Sequence, residues 1–201
     1  MKKLTNFLRS LLFDNPLFLE GIVIAPIVVV GVRLKSALLL SLCLLIITLP
    51  TVLISIYLYK NIKDLLKIPL IFLTSAFFYL LASVLLLKIN TTAFEDFGIY
   101  LPIFMVNSII LSNAVHNSVG KTPIEVVRRT LVGIVSFFVI AVVVSFIREL
   151  FGYGVIAETI KVFPRKMSGI LYPFSGYFIL AFLGALANYF ILKIKQRRKQ
   201  K

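Results

Sequence analysis

Few side chains in this sequence could do chemistry, and they do not form a catalytic set. The 201 residues include one cysteine, Cys43, and one histidine, His116. A single cysteine cannot form a disulfide within the chain or supply the four thiolates of a structural metal site. A single histidine excludes the two-histidine motifs of zinc hydrolases. The sequence therefore predicts neither catalytic residues nor a metal site in this chain.

The other polar candidates lie beside or inside apolar stretches. Glu20 precedes one such stretch, and Asn107, Ser108 and Asn113 interrupt a later one. An acid at membrane depth can relay ions or protons, and the alternative for Glu20 is an interfacial charge paired with Lys or Arg. The three polar residues could line a pathway, or they could bond carbonyl groups freed where a helix breaks. Their sequence positions leave both interpretations open.

Two adjacent charges, Arg148 and Glu149, follow another apolar stretch. At that position their side chains could form an ion pair at the membrane interface. Gly152 and Gly154 bracket a tyrosine shortly afterwards, which indicates a turn. These residues therefore mark the end of a membrane-spanning segment.

The composition places these residues in a membrane protein. Hydrophobic residues make up 60% of the chain and charged residues 15%, with a mean hydropathy of +1.01. Soluble domains have about 45–50% apolar and about 25% charged residues. In a sequence this apolar, the net charge of +14 is a signal of membrane topology rather than of nucleic-acid binding. We therefore expect the chain to contact a lipid bilayer and no nucleic acid.

Four charge-free stretches are long enough to cross a bilayer without interruption, at residues 36–59, 68–87, 130–147 and 167–192. Each has about 18 residues or more, which suffices for a hydrocarbon core of about 30 Å. Two further stretches, 21–32 and 97–115, differ in kind. The first is short and contains Pro26, and the second contains Pro102 and the polar residues named above. Both are predicted to be discontinuous.

The order of these stretches is interrupted, full, full, and then the same again. Because three is an odd number, the second copy of a three-span unit crosses the membrane upside down relative to the first. The predicted fold is an all-α polytopic membrane protein with six transmembrane segments in two inverted three-helix repeats. Its first and fourth segments are discontinuous, and a functional site lies between the two breaks.

The boundaries of a single membrane domain, 1–201, follow from the same pattern. We predict an interfacial helix at 1–14, repeat one at about 15–89, repeat two at about 97–192 and a basic cytoplasmic tail at 193–201. Fifteen of the 22 Lys and Arg residues fall on the side that holds both termini. Both termini are therefore predicted to be cytoplasmic, in a multi-pass protein of the inner membrane.

Several short motifs resemble the Rnf/Nqr family of integral membrane subunits. That family typically has Asn-Pro and then Gly-Leu-Cys-Pro in its first segment, and Gly-Ile-Phe-Ile-Pro-Leu and then Thr-Asn-Cys in its fourth. It has Arg-Glu-x-x-Gly-x-Gly after its fifth span. The positions that correspond to these motifs here are Asn15, Pro16, Gly21, Ala25, Pro26, Gly98, Ile99, Pro102, Asn107, Ser108, Arg148, Glu149, Gly152 and Gly154. The resemblance covers roughly residues 15–192.

The resemblance implies a subunit of a membrane complex that couples electron transfer to ion translocation. In such complexes electrons pass between ferredoxin or a quinone and a nicotinamide cofactor through partner subunits. Two homologous membrane subunits of opposite orientation pair, and each gives two cysteines to one iron–sulfur cluster. The Arg-Glu motif and the cytoplasmic termini are more similar to the RnfE/NqrD branch than to the RnfA/NqrE branch.

The sequence departs from the family where the cluster ligands would stand. Ala25 and Ser108 occupy the positions of the two cysteines, and a 2Fe-2S cluster of this kind needs thiolates. Cys43 lies among leucines in the second span, where cysteine is usually a small hydrophobic residue. The expectation is therefore no cofactor in this chain.

Three functions remain. The first is a divergent, non-catalytic subunit of an Rnf/Nqr-type ion-translocating electron transport complex, with a structural or ion-pathway role. Its partners would be an oppositely oriented homologous subunit and redox subunits that carry flavin or iron–sulfur groups. The alternative is a stand-alone transporter of a small solute or an ion on the same inverted-repeat scaffold. A membrane scaffold without transport is a third possibility.

Overall fold

The computed structural model describes residues 24–58, 62–116, 122–156, 160–161 and 167–199. The α-helices in this part of the chain are α1 (Ile24–Val30), α2 (Leu34–Leu58), α3 (Asp64–Ile89), α4 (Thr91–Phe97), α5 (Ser108–Ile110), α6 (Pro123–Tyr153) and α7 (Pro173–Lys199). Shorter helical turns occur at Gly98–Tyr100, Pro102–Val106 and Ser168–Leu171 (3-10) and at Leu111–His116 (π). Strands β1 (Val155–Ile156) and β2 (Ile160–Lys161) pair antiparallel.

Helices α2, α3 and α6 are long and apolar enough to cross a bilayer. They contain the predicted spans 68–87 and 130–147 and residues 36–58 of the span 36–59, so the prediction of an all-α protein with membrane-capable helices is confirmed. The predicted span 167–192 differs at its start, because α7 begins at Pro173 after a 3-10 turn. Proline is favoured at the first position of a helix, where its missing N–H costs nothing.

The centre of the protein is formed by α2 and α6, which pack against each other and are flanked by α3 and the shorter helices. Half of the apolar stretch of α2 and of α6 is buried, against 28% of that of α3. The outward face of α3 carries exposed Leu73, Phe77 and Leu80. Exposed apolar surface of this extent is typical of a membrane or protein contact.

The second interrupted stretch is a bent pair of helical pieces, Thr91–Tyr100 and Pro102–Ala114, at an angle of 49°. The bend lies within the predicted stretch 97–115, and the helical part begins earlier than residue 97. Gly98 has a φ of 41°, which L side chains rarely adopt, and Pro102 lacks an N–H for a preceding carbonyl. These two residues explain the bend.

The first interrupted stretch is described only from Ile24 onward. Helix α1 has seven residues, and Pro26 lies in its first turn, where proline is tolerated. It ends at the Gly31 turn, residues 31–33, which connects it directly to α2. The predicted interfacial helix at 1–14 and the candidate Glu20 lie outside the described residues.

Candidate functional site

The backbone of the bent segment is interrupted at Asn107, which we call the Asn107 break. Asn107 is buried and extended, between the 3-10 turn Pro102–Val106 and α5. Its Oδ1 accepts a hydrogen bond of 2.8 Å from the Ile110 N–H, and its Nδ2 donates to the Phe104 carbonyl at 2.8 Å. The side chain therefore caps α5 and satisfies a carbonyl before the break, as asparagine commonly does at a helix start.

Hydroxyl groups of α2 and α3 bond the rest of this segment. Thr48 of α2 accepts a hydrogen bond of 3.0 Å from Asn107 Nδ2. Ser55 of α2 donates to the Ala114 carbonyl at 3.3 Å, and Ser75 of α3 donates to the Met105 carbonyl at 2.8 Å. Freed backbone groups at membrane depth require such partners. The sequence alone did not identify these three residues, although hydroxyl residues on one face of an apolar span are a usable signal.

Ser108 and Asn113, the other two predicted pathway residues of this segment, are also buried. The Ser108 hydroxyl is fully buried and has no hydrogen-bond partner within the described part of the chain. Leaving a buried hydroxyl unpaired costs about 1–3 kcal/mol, so such a group calls for an explanation.

A second polar cluster surrounds the Gly31 turn at the opposite end of α2. Arg148 of α6 is fully buried, and its Nη1 donates to the carbonyl groups of Val28 and Gly31. Ser145, one helical turn earlier, donates to the Gly31 carbonyl at 2.9 Å. The last carbonyls of a helix have no partner within it, so these two side chains complete the end of α1.

The guanidinium group of Arg148 also binds the segment that leads into α7. Its Nε donates to the Ile170 carbonyl at 3.2 Å, and its Nη2 donates to the carbonyls of Leu171 and Tyr172 at 2.7 and 3.4 Å. The five N–H groups of arginine form a rigid fork, which here joins α1 to the entry of α7.

The neighbouring Glu149 bonds the chain on the other side of the Gly31 turn. Its Oε2 accepts a hydrogen bond of 2.7 Å from the N–H of Leu34, the first residue of α2. A carboxylate at this position also interacts favourably with the helix dipole. Arg148 and Glu149 are buried in the protein, at 0% and 1% exposure, and both bond backbone groups of other segments. Their role is to join the end of α1 to the start of α2.

The two glycines that follow Arg148 and Glu149 in the sequence have different roles. Gly154 ends α6 with a φ of 70°, as the predicted turn requires. Gly152 lies inside α6 rather than in the turn, and a Cβ atom there would come within 2.3 Å of Leu171 Cδ2. The absence of a side chain at 152 therefore lets Leu171 approach α6, where its carbonyl meets Arg148.

Replacing Gly152 with alanine is expected to lower the free energy of unfolding by about 1–3 kcal/mol, because the added methyl group overpacks the contact with Leu171. Thermal unfolding of the purified protein in detergent measures the effect. The matched control is Gly169→Ala, since a Cβ there meets nothing within 4 Å. The second change Leu171→Ala should restore part of the loss, and equal unfolding temperatures for the two glycine variants would contradict the interpretation.

Comparisons with known proteins agree with the motifs. The profile of a family described as "Rnf-Nqr subunit, membrane protein" matches residues 3–193. The E subunit of an ion-translocating oxidoreductase complex from Methanosarcina acetivorans is 20% identical over 203 residues, which cover all of this chain and 94% of the relative. The E subunit of a proton-translocating ferredoxin:NAD(+) oxidoreductase complex from Clostridium ljungdahlii is 26% identical over 211 residues, which cover all of this chain and 97% of the relative.

The matched region contains α1, the Asn107 break, Arg148 and Glu149. Because it extends over nearly the whole chain, this protein belongs to the Rnf-Nqr family of membrane subunits.

Proposed function

We propose that this chain is a membrane subunit of an ion-translocating electron transport complex of the Rnf type, with a structural or ion-pathway role. The observation that carries the proposal is the Asn107 break, a buried polar interruption in a bent apolar segment. Polar backbone of this kind within a membrane typically holds or passes a substrate or an ion. The names of the two relatives, both E subunits of ion- or proton-translocating complexes, support the same function.

The proposed architecture is six transmembrane segments in two inverted repeats, 15–89 and 97–192, in the inner membrane with both termini cytoplasmic. Hydrogen bonds between the two repeats support it, because the second helix of each repeat bonds the interrupted segment of the other. The second helix of repeat two, α6, bonds the end of α1 through Ser145 and Arg148. The second helix of repeat one, α2, bonds the broken segment of repeat two through Thr48 and Ser55. Such reciprocity is expected when two copies face each other across a pseudo-two-fold axis.

The proposed pathway residues are Asn107, Ser108 and Asn113 at the break, with Glu20 as an entry group. The first three are buried in one segment, and that segment contacts α2 and α6. Neutral amide and hydroxyl groups can solvate a passing ion without holding it tightly.

This chain is proposed to carry none of the iron–sulfur ligands that the family resemblance implies. Ala25 in α1 ends in a methyl group, and Ser108 in α5 offers a hydroxyl where a thiolate is needed. Cys43 is buried in α2 with its side chain in the apolar core. Since the residues present do not fit the cluster, electrons would travel through other chains of the complex.

The partners proposed are a homologous membrane subunit of opposite orientation and redox subunits with flavin or iron–sulfur groups. Purification of the tagged chain from its native membranes in mild detergent tests this directly. We expect flavin-bearing subunits to co-purify, and we expect the chain purified alone to lack stoichiometric iron. Solute flux in liposomes that contain this chain alone, without any co-purifying subunit, would instead support the stand-alone transporter.

A further inference from the structure

We propose that the exposed face of α3 binds an anionic phospholipid, with its headgroup at Lys88 and one acyl chain in a groove on this helix. The groove, which we call the α3 groove, is lined by Phe77, Leu80, Leu81, Val84 and Leu85. Its volume is about 270 Å³, and its side chains are between 39% and 64% exposed. This lipid site goes beyond the proposed function and does not depend on it.

The position of the groove along α3 matches one leaflet of a bilayer. Phe77 forms one end of the groove, and Lys88 follows it by 11 residues, or about 16 Å at 1.5 Å per residue. One leaflet contributes about 15 Å to a hydrocarbon core of about 30 Å. An acyl chain whose headgroup is at Lys88 therefore runs along the groove and ends near Phe77.

Lysines at the two ends of α3 place this helix in the bilayer. Lys63 and Lys88 are both exposed, and the 25 residues from one to the other correspond to about 37 Å. This length lies between the hydrocarbon core of about 30 Å and the total of about 40–45 Å that includes the headgroups. Lysine side chains extend from apolar surfaces toward such polar layers. Lys88 therefore lies at headgroup level when α3 crosses the membrane.

The charge of Lys88 is in line with the groove. Lys88 follows Val84 by four residues and Leu85 by three, so the three side chains share one face of α3. Within the described part of the chain Lys88 forms no ion pair, either with Glu95 or Asp96 of α4 or with any other acid. Its ammonium group is therefore available to a lipid phosphate, which attracts lysine most strongly when the headgroup is anionic.

The chemistry of this face favours a lipid over a helix of another subunit. Helix interfaces in membranes are enriched in small residues and in hydrogen bonds between helices. On α3, Ala82 is buried, and the hydroxyls of Ser75 and Ser83 donate to the carbonyls of Met105 and Tyr79. The groove is left with large apolar side chains and no polar side chain that could orient a helix. Such a surface suits a flexible acyl chain.

Quenching of a single tryptophan by brominated phospholipid tests the site, because the chain has no tryptophan of its own. Phe77→Trp places the reporter at the inner end of the α3 groove. Phe138→Trp on α6 is the matched control, since it is the same substitution at a 40% exposed position in the middle of its helix. The full chain is reconstituted into phosphatidylcholine liposomes with increasing proportions of brominated phosphatidylglycerol or brominated phosphatidylcholine.

For Phe77→Trp we expect brominated phosphatidylglycerol to bind about fivefold more strongly than brominated phosphatidylcholine, the effect of one lysine near an anionic headgroup. Phe138→Trp should show no such preference. Lys88→Gln should remove the preference at Phe77→Trp, whereas Lys63→Gln, at the other end of α3, should leave it unchanged.

Three results would overturn the proposal. The first is equal binding of the two lipids at Phe77→Trp, and the second is a preference that survives Lys88→Gln. The third is weaker quenching of Phe77→Trp than of Phe138→Trp by both lipids, which would show that protein rather than lipid covers the face of α3.

A further pair of variants separates the groove from charge attraction alone. Val84→Phe adds a ring inside the groove and should abolish most of the preference at Phe77→Trp. Leu73→Phe is its control, at a 68% exposed position of α3 outside the groove, and should leave the preference intact. Equal preferences in the two variants would show that Lys88 attracts lipid without the groove, and the site would be rejected. Failure of redox subunits to co-purify, which contradicts the proposed function, does not alter these measurements on the chain alone.

Discussion

Replacing Arg148 with alanine is expected to lower the free energy of unfolding by about 4 kcal/mol, since each buried carbonyl left without a donor costs roughly 1–3 kcal/mol. The guanidinium group donates hydrogen bonds to carbonyls at the end of α1 and in the segment that leads into α7. Its loss removes partners from both segments, while the carbonyls remain buried. Chemical or thermal unfolding of the purified protein in detergent measures the change.

Two further variants separate the hydrogen bonds of Arg148 from its charge. Arg148→Lys keeps the charge but offers three donors from one atom, so it should recover only a minor part of the loss. Arg129→Ala is the matched control on the same helix, because Arg129 is exposed and its ion pair among the described residues, with Glu125 at 3.1 Å, is worth about 0.3–0.5 kcal/mol. An Arg148→Ala protein as stable as Arg129→Ala would show that the bonds to α1 and α7 contribute nothing.

Replacing Asn107 with alanine should cost about 3 kcal/mol of stability, since three buried groups lose a partner at roughly 1 kcal/mol or more each. These groups are the Ile110 N–H, the Phe104 carbonyl and the Thr48 hydroxyl. Hydrogen exchange of the bent segment, measured alongside unfolding, should rise most at α5, whose first turn loses its cap.

The control for Asn107 is Thr48→Val, which removes only one of the three bonds and preserves the shape of the side chain. It should cost about 1 kcal/mol, the typical net value of one hydrogen bond. If Asn107→Ala were no more destabilising than Thr48→Val, the amide would not organise the break. Asn107→Asp keeps an acceptor for the Ile110 N–H but buries a carboxylate beside the Phe104 carbonyl, so it should be at least as destabilising as Asn107→Ala.

The positions of the long helices could be predicted because charges are costly in hydrocarbon. The predicted charge-free stretches lie largely inside α2, α3 and α6. The ends of these helices differ from the predicted ends where polar residues form hydrogen bonds within the protein. The clearest case is α6, which continues past Arg148 and Glu149 to Tyr153. A sequence rule ends a span at charges, but these two are buried and bonded to the backbone of distant segments.

The candidate site could be predicted only in part. Asn107, Ser108 and Asn113 were identified because polar residues are conspicuous in an apolar run. The hydroxyls of Thr48, Ser55 and Ser145 were missed, because a hydroxyl in an apolar helix can equally bond a carbonyl of its own helix, as those of Thr51 and Thr130 do. Their partners lie 59 residues away for Thr48 and Ser55 and 114 for Ser145, and such pairings depend on the tertiary packing of the helices.

The bonds of Arg148 and Glu149 have a consequence for biosynthesis. The backbone around Gly31 emerges from the ribosome and enters the membrane long before α6 has been translated. Until translation passes residue 149, the carbonyls of Val28 and Gly31 and the N–H of Leu34 must find temporary partners, such as lipid headgroups, water or an insertion chaperone. The backbone around Gly31 therefore reaches its final conformation only after α6 has been made.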